Sequence, residues 1–291
     1  MLQVARLAPE ELGESRDLVA RFFESRLNPD GGFQNRSGES DLYYTVFGLE
    51  GLIALREEIP VRRVAPFLEA FGDGDQFDFV HLCCMARCRA MVTPDRARDG
   101  ASALLRRIEV YRTPDGGYAQ QFGAETGNVY ASFLALGAYQ DLGARLPEPE
   151  RVLASLPGLR SADMAYSNRA GDAAGITTVT AAAVMLMRAL GSDPDPHLGV
   201  WLLDRCHASG GFLATPSAPL PDLLSTATGL HALAALHVPL DGLHDACLDF
   251  VDSLWTNRGG FFGTWVDDDI DCEYTYYGLL ALGHLRAAAR V

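Results

Sequence analysis

Positive charge is scarce in this chain. Its 291 residues carry 24 Lys and Arg against 38 Asp and Glu, a formal net charge of −14 at pH 7. Nucleic acid and anionic membrane surfaces reward the opposite balance, so neither is an expected partner. Long apolar runs are missing too. The longest, within TTVTAAAVMLMRAL (177–190), is too short and too polar to span a bilayer. The opening residues, MLQVARLAPEELGESRD, hold no apolar core of the kind a secretory signal needs. A cytoplasmic location is the resulting expectation. The six cysteines (Cys83, Cys84, Cys88, Cys206, Cys247, Cys272) form no C-x-x-C pair, which excludes a zinc-ribbon pattern. Cys84 and Cys88 lie one helical turn apart in an apolar segment, where they read as small core residues. Neither G-x-S-x-G, a Walker loop, H-E-x-x-H nor G-x-G-x-x-G is present.

What the chain does have is repetition. GGF opens at Gly31, Gly210 and Gly259, and GGY at Gly116. Each is followed by a polar loop and then an apolar segment: 41–55, 127–139, 222–236 and 271–285. Two further segments, 77–91 and 175–190, fit without a clean GGF, and 157–174 is irregular. Between these six lie amphipathic stretches at 14–27, 61–72, 96–112, 149–156, 196–208 and 243–255. The first set reads as nearly uncharged on all sides, so its helices are expected to be buried on all sides. Neither terminal pair looks like a polar cap, which an open stack would need. Closing the row into a ring removes the ends. The expectation is an all-α fold, an α6/α6 toroid: six parallel inner helices, six antiparallel outer ones, one domain over 1–291, with no β-structure required.

The glycines let the chain turn through positive φ, and the aromatic residue after them plugs the space between helix pairs. Asp41, Asp222 and Asp271 stand one residue before inner helices, where an N-cap belongs. Six helix N-termini on one rim would favour an anion such as a diphosphate.

GGF, a polar loop, then D-x-x-x-T and G-L-x-A-L resemble the repeats of protein prenyltransferase β subunits and of class II terpene cyclases. The resemblance runs from Asp30 to Leu285. It implies an α/α toroid whose central cavity holds an isoprenoid, with a helical partner subunit in the prenyltransferase case. The prenyltransferases of that family use zinc held by D-x-C and by the His of D-x-x-H-T in the last two repeats. Here Asp222 and Asp271 match the aspartates, but Leu224 stands at the Cys and Tyr274 at the His. Zinc is therefore not expected at the usual position, while magnesium could accompany a bound diphosphate. The stretch GFQNRSGESDLYY and the following FDFVHL match better, with Arg36, Asp41, Tyr43, Tyr44, Asp78 and His81. Asp41 and His81 become metal or acid–base candidates, with Cys272 or Glu273 as a third ligand across the ring closure.

The cyclases of the family carry D-x-D-D-T-A, whose middle Asp is the acid. Aligning DCEYT on its Thr puts Glu273 at that position, with Asp271 supporting it. The run Asp267-Asp268-Asp269-Ile270-Asp271 also matches D-D-x-x-D, yet it sits in a loop before a helix. Catalytic candidates are thus Asp41, His81, Asp271 and Glu273. Arg36 is the candidate diphosphate contact, and Tyr43, Tyr44, Phe47, Tyr274 and Tyr277 are substrate-lining candidates whose rings suit a carbocation. Three readings stand open: a zinc-independent prenyltransferase, a class II-type cyclase using Glu273, and a non-catalytic toroid that binds a lipid or a protein.

Overall fold

A computed structural model of the chain describes residues 1–240 and 242–289. All twelve expected helices are present. The inner set is α4 (Leu42–Ala54), α6 (Phe79–Val92), α8 (Val129–Asp141), α10 (Thr177–Ala189), α12 (Leu223–Ala235) and α14 (Cys272–Ala288). The outer set is α3 (Arg16–Ser25), α5 (Val61–Glu69), α7 (Pro94–Glu109), α9 (Pro149–Ser155), α11 (His197–Leu203) and α13 (His244–Ser253). Each inner helix packs on the next, and α14 packs on both α12 and α4, so the succession closes on itself. The outer helices lean on this ring: α3 on α4, α5 and α7 on α6, α11 on α10 and α12, α13 on α14. Neighbouring inner helices run the same way. Tyr43 meets Glu273 at the start of α4 and α14, and one turn further Phe47 meets Tyr276 and Tyr277.

Side-chain capping starts five of the six inner helices. Asp41, Asp78, Asn128, Asp222 and Asp271 each accept from a backbone N–H of the first turn. The repeated GGF has the expected geometry. Gly31 turns at φ 98°, and Phe33 is fully buried. The rest of the repeat explains itself against that plug. Phe33 N–H donates to Thr45 Oγ1, Tyr118 to Ser132, Phe212 to Thr226 and Phe261 to Thr275. The Gly of G-L gives the plug its room: a Cβ on Gly48 would lie 2.2 Å from the Phe33 ring. The irregular 157–174 segment holds the same device without its glycines, with Tyr166 donating to Thr180.

Three features depart from expectation. A two-residue hairpin, β1 (Phe212–Leu213) with β2 (Pro221–Asp222), pairs ahead of α12, because the plug and the cap residue of that repeat lie side by side. Two short helices, α1 (Leu2–Ala5) and α2 (Ala8–Leu12), precede the first repeat and pack on α14, α1 also on α4. Gly283, far down α14, admits the Val4 carbonyl, so this segment lies against the end of the ring opposite the capped rim. Finally, the inner helices are not uncharged all round: Glu50, Arg87 and Asp141 lie on α4, α6 and α8. Among the described residues no helix is long and apolar enough to cross a membrane.

Candidate functional site

The accessible positions of the inner helices fall at helical spacing. Apart from the last turns, where Gln140, Arg188, Ala189, Ala234, Ala235 and residues 286–288 are also accessible, on α8 they are Tyr130, Phe133, Leu134, Gly137 and Asp141; on α10, Thr178, Ala182 and Met185; on α12, Leu224, Thr228 and His231. On α14 they are Glu273, Tyr274 and Tyr277, and on α4 they begin with Tyr43 and Tyr44. The flanks of each inner helix are covered by its neighbours and its back by an outer helix. A stripe that stays accessible therefore faces the axis, and the ring is hollow along it. The α10 and α12 side of the lining mixes Ala182, Met185 and Leu224 with Thr178, Thr228 and His231, and the α4 and α14 side is aromatic and polar.

Most of the sequence candidates gather on the seam between α14 and α4, where the last repeat meets the first; His81 lies on α6. Glu273 sits in the first turn of α14, and the Tyr43 hydroxyl donates to its Oε1 at 2.6 Å. Burial pushes the Glu273 carboxyl from 4.5 up to about 7; nearby Asp271 adds to this, and the Tyr43 bond and Arg36 oppose it. Burial also raises Tyr43, so the phenol keeps its proton. Around the pair, Tyr43 packs edge-on to Phe47 at 5.0 Å, and Phe47 packs on Tyr277 at 5.5 Å. Tyr44 stands edge-on to Tyr43. A carboxyl that holds a proton near neutrality, in an aromatic lining, can give that proton to a bound molecule.

Arg36 is occupied. Its Nε donates to Asp271 Oδ2 at 2.7 Å, and its two terminal nitrogens grip Asp267 at 3.1 Å. It also lies 5.5 Å over the Tyr274 ring. Partial burial works against the guanidinium charge, but the bonds to Asp267 and Asp271 outweigh it and raise its pKa. Asp271 is 3% exposed and divides its oxygens between Arg36 and the Tyr274 N–H. The acidic run is thus a latch between the first and last repeats as well as a helix cap.

Asp41 and His81 make their polar contacts separately. Asp41 Oδ1 accepts from the Tyr43 and Tyr44 N–H groups. His81 Nδ1 meets Asp78 Oδ1 at 2.8 Å, and its ring stacks on Phe77. Cys272 is fully buried, with its thiol pushed up by burial, and Glu273 is taken by Tyr43. Among the described residues no three His, Cys, Asp or Glu side chains come together as a metal site. A zinc ion does not fit this donor set.

Sequence reasoning passed over a deeper polar group. Arg87 Nε contacts Glu50 Oε1 at 3.0 Å and Asp141 Oδ2 at 3.4 Å. Its side chain is 36% accessible, while Glu50 is only 3% exposed. Nearby, His231 Nδ1 and His284 Nε2 lie 2.9 Å apart. Burial drives both imidazoles down, to about 3 and about 4, so both are neutral at pH 7. The signal was a charged letter within or just after an apolar segment, such as the Glu in FGLEGL.

Comparisons with known proteins agree with this fold. A family model described as the prenyltransferase alpha-alpha toroid domain matches residues 13–72 and 158–289. Among solved structures, apo type II terpene cyclase MstE from Scytonema aligns with a TM-score of 0.67 at 14% identity, covering 97% of this chain and 99% of that one. A single-substitution variant of that cyclase, in complex with its substrate geranylgeranyl dihydroxybenzoate, aligns at 0.65, again at 14% identity, covering 97% and 98%. A variant of UGL with dGlcA-Glc-Rha-Glc aligns at 0.62 and 17% identity, covering 97% and 96%. At such identities the likeness is one of fold. No curated protein matches the chain.

Proposed function

Because the chain belongs to the prenyltransferase alpha-alpha toroid family, we propose that its hollow ring takes up an isoprenoid and that Glu273 protonates it to start a cyclisation. One observation carries this reading: a carboxyl with its pKa raised to about 7, bonded to Tyr43 at 2.6 Å, within an aromatic lining. Protonating an alkene requires an acid that still has its proton at working pH and is held in a dry, fixed place. Burial supplies the first condition and the Tyr43 bond the second.

The step balances simply. The Glu273 proton goes to one alkene carbon, the π pair forms the new C–H bond, and the neighbouring carbon becomes cationic. Tyr43, Phe47, Tyr130 and Tyr277 offer ring faces to that cation. The next double bond supplies electrons for ring closure. Loss of a proton ends the sequence, so the product has the mass of the substrate. Glu273, close to the rim, recovers its proton from solvent. Asp271 holds the first turn of α14, and so the carboxyl, in place.

Prenyl transfer is the second reading, supported by Arg36 on the rim where the inner helices begin. Arg36 would have to exchange Asp267 and Asp271 for the diphosphate. Those two carboxylates would then be free for a magnesium ion brought with it. The residues of the rim hold no zinc set, so this reading requires an acceptor other than a zinc-bound thiolate.

Product analysis after incubation with polyprenyl alcohols, diphosphates and hydrocarbons separates the readings. An isomeric cyclic product that disappears in Glu273→Gln, with binding retained, supports cyclisation. Diphosphate release with a prenylated acceptor, unchanged in Glu273→Gln, would overturn it. Binding without turnover of any probe would leave a lipid-binding toroid.

A further inference from the structure

We propose that the deep half of the ring is a subsite for an uncharged hydroxyl at one end of the cargo, read by Arg87 together with Glu50 and Asp141. This deepens the reading of the ring as an isoprenoid container and specifies which isoprenoids it prefers.

Arg87 stands nine residues below the Asp78 cap and Glu273 two below Asp271. At 1.5 Å per residue on like-directed helices, the two groups are separated along the axis by roughly 10 Å. A hydrocarbon chain reaching from one to the other would leave polar groups against it. Arg87 Nε approaches both carboxylates, Glu50 at 3.0 Å and Asp141 at 3.4 Å. The Arg87 side chain stays 36% accessible, and a hydrocarbon laid against it would strip its water and give nothing back. A second observation is independent of Arg87. The Tyr276 hydroxyl, on a residue 1% exposed, lies against Glu50 without a well-formed hydrogen bond. The network at this depth is short of a member.

Charge selects the missing group. Glu50, first, and Asp141 keep Arg87 ionised against burial. Burial raises the Asp141 carboxyl. Arg87 and the Met1 ammonium against Glu50 and Asp141 sum to zero when all four are ionised, and burial lowers the ammonium as it raises Asp141. The cluster has no surplus positive charge for a diphosphate. A hydroxyl suits it on both counts: its oxygen accepts from an Arg87 N–H, and its proton goes to Asp141 or Glu50.

Calorimetry with geranylgeraniol, geranylgeranyl diphosphate and the polyene hydrocarbon of the same chain tests this. The alcohol should bind about tenfold or more tighter than either, the worth of a hydrogen bond to a charged group. Arg87→Met should erase the alcohol's advantage over the hydrocarbon. Because that change leaves two carboxylates unpaired, Asp141→Asn serves as the shape-matched variant and should narrow the gap several-fold. Equal binding of alcohol and hydrocarbon, tightest binding of the diphosphate, or no binding of any of the three overturns the proposal. Glu273→Gln should leave the alcohol-to-hydrocarbon ratio unchanged. A failure of the acid therefore shows as lost turnover with that ratio intact, and a failure of the subsite as a lost ratio.

Discussion

At the scale of single residues, Glu273 and Tyr43 carry the chemistry, and their coupling fixes the sign of two pH effects. If protonated Glu273 is the acid, turnover should fall as pH rises through about 7. Tyr43 opposes the raised pKa, so Tyr43→Phe should move that falling limb to higher pH; a pH–rate profile of both proteins checks it. Stability follows the same group. The folded carboxyl holds its proton up to about 7, whereas the unfolded one releases it near 4.5. Between those values the folded state binds more protons, so stability declines with rising pH, by at most about 1.4 kcal/mol per pH unit. Urea titrations from pH 4.5 to 7.5 should show this decline in the wild type and a flatter curve in Glu273→Gln. Glu273 was legible in the sequence only through alignment on the Thr of DCEYT. Its partner was not, because Tyr43 lies 230 residues away and meets it only when the ring closes.

Among elements, the repeat is a lock between a loop and the helix after it. The plug ring, the Thr that receives its N–H and the Gly that makes room for it are one device. This accounts for D-x-x-x-T and G-L without any catalytic role for the Thr. It also predicts a reversal of a general rule. Gly→Ala inside a helix normally stabilises by up to about 1 kcal/mol. At Gly48 the new Cβ would lie 2.2 Å from the Phe33 ring. Gly48→Ala should instead destabilise by about 1–3 kcal/mol, the usual cost of overpacking, measurable by chemical denaturation. Helices and caps were readable because apolar periodicity and Asp positions are local signals. The repeat at 157–190 was harder to read, since Tyr166 and Thr180 perform the function of GGF and its Thr with neither glycine present. Glu50 and Arg87 were lost in segments judged by their average character, and Asp141 lies just past the end of the 127–139 segment.

For the whole molecule, the decisive fact is closure. The first and last repeats meet at α4 and α14, and the candidates Arg36, Tyr43, Phe47, Asp271, Glu273, Tyr274 and Tyr277 gather there. Arg36 latches that seam. Arg36→Ala would strand Asp271, 3% exposed, without its cation. It should lower stability by about 1–3 kcal/mol, and thermal unfolding with and without geranylgeranyl diphosphate separates the latch from a diphosphate contact. A latch loses stability in both conditions; a diphosphate contact loses mainly the stabilisation by ligand. The ring could be inferred from repeats that lacked caps, but which repeats would form the site could not, because a ring of similar units has no marked starting point.

Solvent deuterium tests the central claim most directly. Incubating the protein with a polyprenyl substrate in heavy water and weighing the product asks whether a solvent-derived proton opens the reaction. A proton delivered by Glu273 predicts a cyclic product one deuterium heavier than the same product made in ordinary water, and none from Glu273→Gln. A product without deuterium, or one formed with loss of diphosphate, would contradict it.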